Sequence, residues 1–220
     1  MIKNQITEFQ KNRRSIKDFT DDPVSEEQIS TIIEAGRWAP SWLNIQPWKF
    51  IVIDDPKVRA KICTEVPMTE MAGVNKAPVS IAICVEDYRS SAHLAEDGAA
   101  ATLNMSLAAH SLGLCTYWVG LFDRKNGRKS PEAKIRKILG APGNIRLVSL
   151  LPIGVPAKSP TSTRKNLEEI VCHNYFTIEG SSMSAEQAQQ AKIKNGKIID
   201  FSSVSARDQW YTGLFTLTGR

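Results

Sequence analysis

Two guanidinium groups, a hydroxyl and an ammonium fall close together at Arg13-Arg14-Ser15-Ile16-Lys17. Forked cations beside a hydroxyl match the oxygens of a phosphate dianion. One helix later comes a proline-bracketed turn, Ala39-Pro40-Ser41-Trp42-Leu43-Asn44-Ile45-Gln46-Pro47-Trp48. The amides of Asn44 and Gln46 suit the hydroxyls of a polyol or a heteroaromatic edge. Together the two segments point to a phosphorylated cofactor with a polar tail and a flat head. Solvated charges at a helix end, followed by a plain polar turn, are the alternative for the same residues.

Several elements must position these groups. Ile2, Ile6 and Phe9 are spaced four and three apart, which predicts a short amphipathic helix running into the arginine pair. Ser25-Glu26-Glu27-Gln28 reads as a capping box, and Ile29, Ile32, Ile33 and Gly36 mark the buried face of the helix it opens. Pro40 stops that helix. Trp48 to Ile53 is a strand closed by Asp54-Asp55-Pro56, with another helix from about Pro56. Pro78 to Val85 is a second strand. Ser91 to Leu112 is a long helix rich in Ala and Gly, bland on most faces and therefore buried, either within the chain or at a dimer interface. Leu114 to Gly120 is a third strand. Ser130-Pro131-Glu132 opens a helix that Gly140 ends, and Arg146 to Ile153 is a fourth strand. Strands and helices alternate without a Gly-x-Gly-x-x-Gly fingerprint, so a Rossmann dinucleotide site is unsupported.

With 220 residues, 42% of them hydrophobic, the chain can bury one sizeable core and carry an appendage. A net charge of +5 fits an anionic cofactor or simply a basic surface. Cys63, Cys84, Cys115 and Cys172 form no C-x-x-C pair, which argues against zinc or iron–sulfur and leaves Cys84 and Cys115 as buried thiols. The amino terminus has no signal-peptide core and no apolar run nears the roughly 20 residues of a span, so a cytoplasmic protein with no membrane partner is expected. His93, His110 and His173 stand alone in sequence and read as ordinary histidines. Arg124, Lys125, Arg128, Lys129, Lys134, Arg136 and Lys137 form a basic run whose aromatic content is nil beyond Phe122, so no nucleic acid is expected. From about Thr177 the texture changes: Gly180 to Ser184 resembles a linker, Asn195-Gly196 is a hairpin signal, and Trp210, Tyr211 and Phe215 need a surface to pack on. Residues 177–220 are read as an arm on a 1–176 domain, with disorder as the alternative.

The order of motifs resembles the FMN-dependent nitroreductase family over roughly residues 9 to 176. The likeness rests on Arg13-Arg14-Ser15-Ile16-Lys17 with Phe19 and Pro23, then Ala35-Gly36-Arg37-Trp38-Ala39-Pro40-Ser41 leading to Asn44 and Gln46-Pro47-Trp48. Lys76-Ala77-Pro78, Leu112-Gly113-Leu114 with Gly120, and Ile153-Gly154-Val155-Pro156 with Arg164 complete it.

That resemblance implies an α+β fold, a central, mostly antiparallel sheet flanked by helices, in an intertwined homodimer with FMN in two interface clefts. It implies that Arg13 and Arg164 bind the phosphate, with Arg14 and Ser15 beside it and the ribityl chain. Lys17 would approach the pyrimidine edge. Pro40, Ser41, Trp42 and Asn44 of the other protomer, with the neighbouring Gln46, would line the ring and ribityl, and backbone N–H groups near Val119 and Gly120 would face flavin N5. Some relatives carry a second cation where this chain has Ser162, with Lys165 or Arg14 as substitutes here. The implied activity is ping-pong hydride transfer from NADH or NADPH to nitroaromatics, quinones or similar electron-poor acceptors, with no protein acid–base dyad. The basic run then has a second reading, as a seat for the 2′-phosphate of NADPH. Rival readings are a flavin-cleaving enzyme of cobalamin lower-ligand synthesis and a non-enzymatic flavin-binding regulatory or storage protein. Reductive dehalogenation is disfavoured, because Glu65 to Lys76 contains no tyrosine.

Overall fold

The computed structural model describes residues 4–87, 92–125 and 127–174, in two units, Met1–Ser162 and Thr163–Arg220. The expected arm at 177–220, Ile2 and Ser91 lie outside the described residues.

In the first unit, α1 (Gln5–Asn12) starts where the Asn4 side chain accepts the Ile6 and Thr7 N–H groups, and it stops at Arg13. Helix α2 (Glu26–Arg37) has the expected reciprocal capping box between Ser25 and Gln28. Strand β1 (Trp48–Ile53) leads into α3 (Pro56–Glu65), capped by Asp55 with proline in its first turn. A short helix not foreseen in the sequence, α4 (Ala72–Lys76), precedes β2 (Val79–Glu86). Helix α5 (Leu94–Ser111) is followed by β3 (Cys115–Thr116), β4 (Val119–Gly120), α6 (Pro131–Ile138) and β5 (Ile145–Gly154). In the second unit, α7 (Leu167–Ile170) opens where the Glu169 carboxylate accepts the Asn166 N–H at 2.9 Å.

The sheet runs β1-β2-β5-β3, with β4 also on β5, and every one of these pairings is antiparallel. Strand β5 is buried along its whole length and β2 along nearly all of it. Both faces are covered, which is why these strands read as continuous apolar runs rather than alternating ones. One face carries Ile62, Val74, Cys84, Leu147 and Ile135; the other carries Ile32, Ile81, Ile83, Met105 and Leu151. Leu147 and Leu150 share a face although three apart, because Ile83 faces Ser149 while Cys84 faces Leu147, leaving Val148 as an extra bulged residue.

The third strand differs from expectation. Leu114 to Gly120 is not continuous: pairing holds at Thr116 with Ile153 and at Val119 with Leu150, and is lost between. In that register Tyr117 stands opposite Pro152, which has no N–H to give to the ladder. The small residues of α5 serve packing within the chain. A Cβ on Gly98 would lie 2.5 Å from Val148 Cγ2, and one on Gly36 of α2 would lie 2.8 Å from Met105 Cγ of α5. Cys84 and Cys115 are buried as expected, and burial pushes both thiols up to about 12. Among the described residues, no helix is long and apolar enough to cross a membrane.

Candidate functional site

Because α1 ends at Arg13, the arginine pair emerges at its carboxyl end, both side chains half-buried. Arg14 spends donors on carbonyl oxygens: Nη1 donates to Lys11 and, at 2.9 Å, to Arg13, and Nε donates to Pro160 at 3.2 Å. It ties the helix end to the segment after β5. Arg13 has no hydrogen bond or ion pair among the described residues. It lines a cavity of about 180 Å³ together with Arg14, His110, Cys115, Thr116 and Ser159, and among the described residues no Asp or Glu borders that cavity. Burial, then the positive field of Arg13, holds the His110 imidazole below its ordinary pKa against the opposing Phe9 carbonyl, with Arg14 adding to the depression. Cationic, half-dry and free of carboxylates, this recess is suited to an anion.

Ser15 continues as a parallel bridge beside Thr116, where the Ile16 N–H donates to the Thr116 carbonyl at 3.1 Å. That clip fixes where Lys17 leaves the chain. Its ammonium sits 5.6 Å from the centre of the Tyr117 ring. Tyr117 is 2% exposed, packs on Phe19, and donates its hydroxyl to the Glu70 carbonyl at 2.5 Å. It is a rigid platform for the lysine. Beyond the Pro152 gap, Val119 is buried and Gly120 is exposed; a Cβ on Gly120 would meet only Trp118 Nε1, at 3.8 Å. The backbone there is open to a flat molecule.

The proline-bracketed segment folds as a tight turn with a short 3₁₀ stretch at Trp42–Asn44. Pro40 is exposed. Leu43, Asn44 and Gln46 take φ of 49°, 55° and 55°. Such left-handed backbone costs about 1–3 kcal/mol per residue and persists only where its surroundings impose it. The bonds that impose it are present. Ser41 Oγ accepts the Gln46 N–H at 2.9 Å, Asn44 Oδ1 accepts from the Gln46 amide at 3.2 Å, and the Pro47 carbonyl accepts the Glu86 N–H at 2.8 Å. The Trp42 N–H donates to Asp97 Oδ1 at 2.9 Å, and the indole, 45% exposed, lies 5.2 Å from the His93 ring. Asp97 and His93 carry no site signal in the sequence: Asp97 follows Glu96 in the first turn of α5, and only the fold separates the buried carboxylate from the exposed one.

The arginine recess and the turn flank opposite ends of α5. Ser106 and His110 border the former, while Asp97 holds the latter. Asp97 to His110 spans about 20 Å at the helical rise of 1.5 Å per residue. Arg164 belongs to the second unit, where its Nη1 donates to the Thr163 carbonyl at 2.8 Å.

A buried ion pair steadies the loop after Gly120. Glu132 accepts from Arg146 Nε at 2.6 Å and from the N–H groups of Asp123 and Leu147, while Arg146 also donates to the Asp123 carbonyl and lies over Phe122. In the basic run that follows, Arg136 donates to the Ile145 carbonyl and Lys134 to that of Glu65, whereas Arg124, Lys125, Arg128, Lys129 and Lys137 are exposed.

The sequence pattern of the Nitroreductase family matches residues 11–66 and 68–155. A protein of Methanothermobacter thermautotrophicus with the provisional name NADH dehydrogenase/NAD(P)H nitroreductase is 34% identical over 163 residues, covering 72% of this chain and 81% of that protein. The FMN reductase [NAD(P)H] of Bacillus subtilis is 29% identical over 194 residues, 77% of this chain and 73% of that one. A provisionally named nitroreductase from Desulfovibrio desulfuricans, solved in complex with FMN, superposes with a TM-score of 0.66 at 31% identity, over 80% of this chain and all of that one.

Proposed function

The chain belongs to the Nitroreductase family, and on that premise we propose that it is an FMN-dependent NAD(P)H oxidoreductase acting on electron-poor acceptors such as quinones and nitroaromatics. The observation that carries the reading is Arg13, which has no partner among the described residues and lines a recess that no described carboxylate borders. Its donors match a phosphate dianion, and the open backbone at Gly120 leaves room for a planar ring. FMN supplies hydride transfer between a reduced nicotinamide and the acceptor. Arg13 holds the phosphate end, with Arg14 and Ser15 beside it and the polyol. Lys17, steadied by Tyr117, presents an ammonium that favours negative charge on the pyrimidine side of a reduced ring and so favours reduction. Asn44 and Gln46 offer amides to the polyol, Pro40 and Ser41 flank them, and Trp42 borders the open face where nicotinamide and acceptor take turns, a ping-pong order. The backbone at Val119 and Gly120 meets the ring without side-chain bulk.

The same reading includes a homodimer. The recess meets α5 from Ser106 to His110, about 14–20 Å along the helix from Asp97, where the turn is held, and on this reading the turn that completes one site is supplied by a second copy.

An absorption spectrum of the purified chain tests the cofactor, and NAD(P)H oxidation with a quinone tests the chemistry. A yellow protein with about one flavin per chain and steady turnover is expected. A colourless chain that refuses added FMN would reject the reading, and bound FMN that stays oxidised under NAD(P)H would leave a flavin-binding protein without this activity.

A further inference from the structure

We propose that Asp97 and His93, at the start of α5, form a clasp that positions Trp42 and thereby sets which acceptors reach the flavin face; the acceptor part of this rests on the function proposed above. Asp97 is 6% exposed, an unusual place for a carboxylate, and its acceptor oxygen holds the Trp42 N–H at 2.9 Å. It sits in the first turn of α5, where helix N–H groups favour an acidic side chain. The His93 ring lies 5.2 Å from the indole, so Trp42 is held through backbone and side chain at once. Three left-handed residues follow within the next four positions. Such backbone stays in place only when its neighbours over-determine it. Ser41, Asn44 and Pro47 supply bonds from within the turn or from Glu86, and the Asp97 bond fixes Trp42 from another element. Trp42 nevertheless remains 45% exposed. A large aromatic group fixed at its root and open at its face is a gauge for the size and shape of what stacks beside it. Asp97 and His93 act here through Trp42 and are positioning residues.

Amide hydrogen exchange across residues 41–46 and acceptor kinetics of the FMN-loaded protein test the clasp together. In Asp97→Ala, exchange at Trp42 and its neighbours is expected to rise at least about tenfold, whether or not flavin is bound. The ratio of kcat/KM for a bulky quinone to that for a small one is expected to move at least about fivefold, with flavin content held. Asp97→Asn keeps an acceptor oxygen and is expected to restore both readouts to within about twofold. Trp42→Ala should move the acceptor ratio the same way, and the double variant should add nothing to Trp42→Ala alone. His93→Ala, at an exposed site and so informative even if Asp97→Ala fails to fold, should shift the ratio about twofold in the same direction. Unchanged exchange in Asp97→Ala, an undiminished Asp97→Ala effect in the Trp42→Ala background, or an unmoved ratio in His93→Ala would each overturn the clasp. A chain that binds no flavin but shows the exchange response would reject the proposed function while leaving the clasp standing.

Discussion

Arg13 and Arg14 are neighbours with different duties. Arg14 is engaged by three carbonyl oxygens, whereas Arg13 lines the recess with no partner among the described residues. Arg13→Gln removes charge-assisted bonds of about 1.5–3 kcal/mol, so FMN should bind roughly ten- to a hundredfold more weakly by flavin-fluorescence titration. Riboflavin, which lacks the phosphate, should bind the variant and the parent alike. Glu34 offers a second residue-level test. It accepts two bonds from Arg37 and one from the Trp38 indole, and these, the Arg37 bonds first, pull its carboxyl down to about 2. The folded value lies below the ordinary one of 4.5. This support for the end of α2 is therefore complete above about pH 4.5 and fades as the pH falls towards 2. The indole N–H resonance of Trp38 should move as the pH nears about 2, and Glu34→Gln should abolish the movement.

At the scale of elements, α5 and β5 are matched in shape. The bulge that sets Val148 apart presses it against Gly98, where a Cβ would sit 2.5 Å away. Gly98→Ala gains at most about 1 kcal/mol in helix propensity against about 1–3 kcal/mol of overpacking. A net loss of up to about 2 kcal/mol is expected in urea denaturation. Features of this kind also mark how far the sequence could be read. Signals carried by adjacent residues were legible: the Ser25–Gln28 box, Asp55-Pro56, Ser130-Pro131 and the stop at Gly140, which takes φ of 67°. The interruption of the third strand was not, because its cause, Pro152, lies on another strand and acts only once the register is set. The arginine pair at a helix end was legible from the spacing of Ile6 and Phe9, and the polar turn from its prolines. The Asp97 bond to Trp42, the Tyr117 platform under Lys17 and the absence of acids from the recess are tertiary facts, and a linear pattern does not contain them.

At the scale of the molecule, large apolar side chains remain uncovered: Trp38 is 72% exposed, Leu103 49% and Trp42 45%. The proposed homodimer predicts sedimentation at twice the 24.4 kDa chain mass at micromolar concentration, and a single-chain species at all concentrations would count against it. Leu43 gives that prediction a sharper form. A leucine at φ 49° incurs about 1–2 kcal/mol that asparagine or glycine would largely avoid, yet 75% of its surface faces water, so its own chain gains little in return. Burial against another body would yield about 1.5–3 kcal/mol. One substitution should thus push two equilibria in opposite directions: Leu43→Asn makes the isolated chain harder to unfold and the pair easier to separate. At this position the relaxed solitary fold and the assembled particle ask for different amino acids.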